Sequence, residues 1–193
     1  MRGRLRRLAA TIVVLALAAG AVSLSIGALF TDTGSVPSNT FTTGTVDIST
    51  SPASAVVTFS TMAPGDQVTG AITVTNSGSL AQRYAVTGTT TENTLAAQLD
   101  LTIKSGVTTC TNAGFSTDGT VVYGPGDLGN TTPINLIGNP AQGAQAGDRA
   151  LAAGANEALC FNVSLPLGTG NAYQGLASTA TFDFQAEQTK NNP

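Results

Sequence analysis

Val68-Thr69-Gly70-Ala71-Ile72-Thr73-Val74-Thr75 decides the fold. Successive side chains of a strand point to opposite faces, so Val68, Gly70, Ile72 and Val74 line one side and Thr69, Ala71, Thr73 and Thr75 the other. The segment reads as a half-buried strand. Pro64-Gly65-Asp66 precedes it and Asn76-Ser77-Gly78 follows; Pro fixes φ, and Gly and Asn tolerate left-handed backbone, so both are turn sequences. Residues 83–89 come next, with Tyr84 and Val86 on one face, and the short turn between the two stretches predicts an antiparallel hairpin.

The same period of two recurs along the chain. Leu99, Leu101 and Ile103 alternate with Asp100, Thr102 and Lys104; Leu159, Phe161, Val163 and Leu165 form another row, and Ala180, Phe182, Phe184 and Ala186 a third. Residues 93–98, Asn-Thr-Leu-Ala-Ala-Gln, predict one short helix with Asn93 as its N-cap. Residues 124–154 are rich in Gly, Asn, Ala and Gln, which predicts long surface loops with one short strand near 134–137. Seven or eight strands with long crossings imply an all-β fold, an antiparallel two-sheet sandwich of jelly-roll type.

Composition agrees and excludes much chemistry. Charged residues make up 10% of the 193, and there is no His. A Ser-His-Asp triad, a Cys-His pair and a His-rich zinc site are therefore impossible within this chain. Asp118-Gly119 and Gly126-Asp127 read as turns, without the alternating acidic spacing of a calcium loop, and no cofactor is expected. The two cysteines, Cys110 and Cys160, predict one disulfide in an exported chain, with Cys160 on the outer face or edge of a sheet because Leu159 and Phe161 point inward.

The export reading comes from the start of the chain. Arg2, Arg4, Arg6 and Arg7 precede a stretch from Leu8 to Leu24 that is apolar apart from Thr11 and Ser23, and Ser25, Gly27 and Ala28 are small. This is the pattern of a signal peptide over 1–27, cleaved by a signal peptidase. A retained membrane anchor is the competing reading, since about 17 apolar residues lies at the short edge of a span. Cleavage leaves Arg83, Lys104, Arg149 and Lys190 against eleven acids, a formal 4 − 11 = −7, which argues against nucleic-acid binding. The expected order is then a first or donor strand within 28–50, a sandwich over 51–188 and a polar tail at 189–193, with membrane contact only during export and a secreted or cell-surface location.

Ala28-Leu29-Phe30-Thr31-Asp32-Thr33, then Asn39 and Phe41, then Gly44-Thr45-Val46-Asp47-Ile48, resembles the start of TasA and camelysin-like proteins, which are exported through a dedicated signal peptidase of the SipW type. Pro64-Gly65-Asp66 with Ile72-Thr73-Val74-Thr75-Asn76-Ser77-Gly78 looks like that family's second block. Leu165-Pro166, Asn171-Ala172-Tyr173-Gln174-Gly175 and residues 182–188 look like its closing strands, whereas about 107–154 is unmatched. The resemblance implies a jelly-roll subunit of extracellular biofilm-matrix fibres, each copy completing a neighbouring copy or a related subunit with an N-terminal donor strand.

The residues themselves are compatible with this role. Phe41, Val46 and Ile48 lie in a Thr-rich extended segment bounded by Gly34 and Pro37 on one side and Ser51-Pro52 on the other. Such a strand can add to another subunit's exposed edge, and a repeated head-to-tail contact gives an open filament. Two alternatives stand beside it: a monomeric adhesin or binding module using the 124–154 loops, and a camelysin-like metal-dependent protease. For the latter the chain offers only carboxylates, carbonyls and two cysteines, a donor set closer to calcium or magnesium chemistry than to hydrolytic zinc.

Overall fold

The alternating stretches become strands that bury one face each. The computed structural model describes residues 42–54, 57 and 61–193, with positions 3 and 40 besides. The expected signal peptide and Phe41 lie outside the described residues. Among the latter are nine strands: β1 Ile48–Ser51, β2 Gln67–Asn76, β3 Gln82–Thr90, β4 Asp100–Ser105, β5 Thr120–Asp127, β6 Ile134–Ile137, β7 Arg149–Leu151, β8 Asn156–Ser164 and β9 Ala180–Gln188. They belong to a compact unit running Thr43–Pro193, divided from Met1–Thr42.

Two antiparallel sheets form an all-β sandwich. One has the order β1-β2-β8-β4-β5; in the other, β3 pairs with β9 on one side and with β6 and β7 on the other. The chain crosses repeatedly between sheets, a jelly-roll trait. Ile72, Val74, Leu101, Ile103, Leu159, Phe161 and Val163 of the first sheet meet Tyr84, Val86, Leu136, Ile137 and Leu151 of the second, all buried. Each such side chain contributes about 1.5–3 kcal/mol on leaving water, and together they hold the sheets face to face.

The expected β2–β3 hairpin does not form, because the two strands lie in different sheets. The reason is Asn76. Its fully buried side-chain amide donates to the carbonyls of Leu80 (2.8 Å), Leu151 (3.2 Å) and Ala152 (3.0 Å), and its Oδ1 accepts from Gly78 N–H (3.0 Å). The connection is thus pinned as a crossing between sheets rather than as a tight turn. β3 also departs from simple alternation: Arg83, Ala85 and Thr87 on its outer side are buried too.

The short helix expected at 93–98 is a pair of turns. Ala97 N–H reaches Asn93 O at 3.4 Å and Leu99 N–H reaches Leu95 O at 3.0 Å. The cap is Glu92, whose carboxylate accepts from the N–H groups of Thr94, Leu95 and Ala96, while Asn93 turns to Thr131. β4 then begins at Asp100, too soon for a helix to propagate. Within 124–154 the strand near 134–137 forms as β6, and β7 adds to it. β5 precedes them, its Gly124 at φ +83°, a left-handed conformation that glycine adopts without strain.

Candidate functional site

Two edge strands lie at one side of the sandwich. Among the described residues β1 pairs only with β2, and β9 pairs along its whole length only with β3, so each ends its sheet. The two edges adjoin. β9 turns Ala180, Phe182, Phe184 and Ala186 toward the core, yet all four are only partly buried, as is Ile48 on β1. Phe182 packs on Phe161 with ring centroids 5.0 Å apart, and Phe184 on Tyr84 at 6.2 Å, both tilted. An aromatic row with its outer flank half covered, beside two incomplete backbone ladders, is suited to accepting a further strand.

The candidate donor residues are divided by the structure. Ile48 opens β1 and pairs with Asn76 of its own sheet, while Val46 is 41% exposed. The segment between is fastened in cis: Thr45 N–H donates to Ser79 Oγ (2.9 Å), Ser77 N–H to Asp47 O (2.9 Å), and Leu80 N–H to Thr45 O (3.2 Å). Gly78 permits this approach, because a Cβ there would stand 2.8 Å from the Asp47 nitrogen. Residues 45–51 thus behave as a first strand in the isolated chain.

The end of the sandwich where this segment docks is polar inside. Tyr84 Oη donates to Glu157 Oε1, and Arg149 Nε and Nη2 hold the same carboxylate at 2.9 and 2.5 Å. Burial raises the Glu157 pKa, but the hydrogen bonds from Arg149 and Tyr84 outweigh it and hold the carboxyl below its usual range. Burial and the same carboxylate push the Tyr84 phenol up. Nearby, the side-chain amide of fully buried Gln82 has no hydrogen-bond partner among the described residues. On the outer face Arg83 Nε donates to Glu187 at 2.6 Å and Nη2 to Asn192 O, fastening the tail onto β3. The Arg83 bond, foremost, draws the Glu187 carboxyl down.

Cys110 and Cys160 are bonded to one another. Cys160 is 2% exposed, and its strand β8 lies inside the sheet between β2 and β4, so the outer face, not the edge, is its place. The bond draws residues 106–119 over that face. Lys104 assists, its Nζ donating to Phe115 O (2.6 Å) and Asp118 O (3.2 Å) while lying 4.6 Å from the Phe115 ring centre.

Sequence reasoning passed over Arg83, Lys104, Arg149, Glu157 and Gln82. One signal was available: a chain with four basic residues beyond its first seven positions places three of them inside or beside strands. Their partners, up to 109 positions away, carried none.

Geometrically this is a disulfide-bonded, two-sheet β-sandwich with two adjoining open edges. The chain belongs to the family described as camelysin metallo-endopeptidase, the TasA/camelysin family, which it matches over residues 4–193. No curated protein matches the chain. The family's description implies a metal, and the residues present do not fit one for hydrolysis: there is no His, both cysteines are in the disulfide, and among the described residues no three His, Cys, Asp or Glu side chains come together. Several acids are already committed as caps, such as Asp66 to Ala63 N–H and Asp148 to the N–H groups of Asn139 and Gln145.

Proposed function

We propose that this chain is an exported, non-catalytic subunit of cell-surface or biofilm-matrix fibres, joined head to tail by a donated N-terminal strand. One observation carries the reading: the half-covered row Phe182–Phe184 flanked by the adjoining edges β1 and β9. Because residues 45–51 already have backbone partners in their own subunit, the donated part is the stretch before Thr43, including Phe41, with Val46 and Ile48 as its root. It adds beside an open edge, and its alternate side chains complete the partner's aromatic row. The contact joins different patches and so repeats without closing.

The protease reading has the family's description behind it, but the chain has no His and, among the described residues, no cluster of acidic or Cys side chains to carry it. The 124–154 segment of the adhesin reading is largely tied down, by β6, β7 and the Asp148 cap, beside a cleft of about 130 Å³. Negative-stain imaging and sedimentation of the chain starting at Ala28, beside one starting at Thr43, test the proposal. Filaments from the longer form and monomers from the shorter are expected; monomers from both, across salt and concentration, overturn it.

A further inference from the structure

We propose that the loop 165–179, through Leu167 and Leu176, is the face that receives a second copy of this chain at the point where that copy's N-terminal segment leaves its sandwich. This rests on the fibre reading and adds a receiving surface distinct from the strand edges.

The sandwich has two ends. At one lie Asn76, Gln82, Asn156 and Gln188, and there residues 45–47 dock against 77–80. At the other lie Gln67, Thr90, Asp100 and Ser164, the last leading into the loop and returning as Ala180. Leu167 is 82% exposed and Leu176 43%. No residue from 165 to 179 is charged; Asp66, Glu92 and Asp100 stand beside the loop, while the two leucines themselves belong to an uncharged stretch where apolar contact needs no ion of the loop to be desolvated.

The loop is also held in shape. Gly65 N–H donates to Leu165 O (2.7 Å), Thr169 N–H and Oγ1 to Pro166 O (3.0 and 2.7 Å), and Gln98 Nε2 to Thr169 Oγ1 (3.2 Å). A leucine exposed on a fixed loop loses little freedom on docking.

The occupant follows from where the chain goes. Val46, 41% exposed, marks the end from which the N-terminal segment departs. Stacked head to tail, that end of one copy meets the loop end of the next. Residues 28–42 fully extended reach roughly 50 Å, against about 34 Å for the ten-residue β2. The segment therefore passes the loop before running along the next sandwich. Leu167 and Leu176 close on Val46 and the neighbouring root of the donated segment.

The test compares filament formation by the chain from Ala28 with that of its L167S/L176S variant and a V121S control, whose exposed valine lies on β5. We expect the thermal midpoint unchanged in all three, and the concentration at which filaments appear to rise about tenfold in L167S/L176S alone. If the unsubstituted chain forms filaments and the double variant forms them at the same concentration, the loop is not the receiving face and the donor-strand reading stands. If the unsubstituted chain forms none, both fall together. Should the double variant unfold, L167K puts the same question at the more exposed site, and unimpaired assembly by it overturns the inference.

Discussion

Tyr84 Oη meets Glu157 Oε1 at 2.5 Å across the space between the sheets, joining β3 to β8 by their side chains alone. Arg149 grips both oxygens of that carboxylate, so the two layers are clamped by charge at the end where the first strand docks.

Acid should release this clamp. The Glu157 and Glu187 carboxyls are both held below the usual 4.5 in the folded state. Stability that depends on them is fully present above the unfolded value and is lost as pH falls through the folded ones. Denaturant midpoints should stay level from about pH 8 to 5 and drop below about 4.5. Glu157→Gln should lower stability at pH 7 by about 2 kcal/mol and flatten its share of the acid limb; an unaltered acid limb would remove the clamp from the account.

Asn76 should be intolerant of near-isosteric change. Asn76→Ala strands buried carbonyls and should cost about 3 kcal/mol. Asn76→Asp, which keeps the size but donates nothing, should cost at least as much. Urea unfolding reads both, and a mild aspartate variant would show that shape, not donation, holds the crossing.

Gln82 should behave oppositely. With both amide atoms buried and unpartnered among the described residues, Gln82→Met should raise stability by about 1 kcal/mol. A lower thermal midpoint in the variant would mean that the amide has a partner in solution.

Reducing the disulfide, or replacing it by C110A/C160A, removes a cross-link between residues 50 apart, worth about 4 kcal/mol on the chain-entropy account. Hydrogen exchange should quicken first in residues 106–119, with the Lys104 contacts delaying the rest. Uniform quickening across the sheet would place the loop's anchorage elsewhere.

The alternating rows of β2, β4, β8 and β9 were legible because each buries one face, and a period of two is a local property of the chain. β3 was legible as a strand but not as to its sheet, since its neighbours are chosen by Asn76 and by partners as distant as Gln188, which pairs with Gln82. β5 was hidden by Gly124-Pro125-Gly126, which reads as a break and is tolerated at a sheet edge. Glu92, not Asn93, caps the turn because its longer side chain reaches three N–H groups at once. Of the candidate site, the cysteine pair was legible by count. The half-open aromatic row was legible only as a strand, because exposure at an edge depends on what the rest of the chain leaves uncovered.

The antiparallel pairing of β1 with β2 also decides how the molecule bears tension. A pull on the N-terminal segment away from its docking end runs along β1, while the hydrogen bonds to β2 lie across it. The ladder is therefore loaded in shear, its bonds sharing the force instead of parting one after another. The contacts of Thr45 and Asp47 with 77–80 stand in series ahead of it as the first to yield. Cys110–Cys160 lies outside that path, so the covalent cross-link would leave the resistance of a stretched subunit to its shortest named edge strand in the larger sheet.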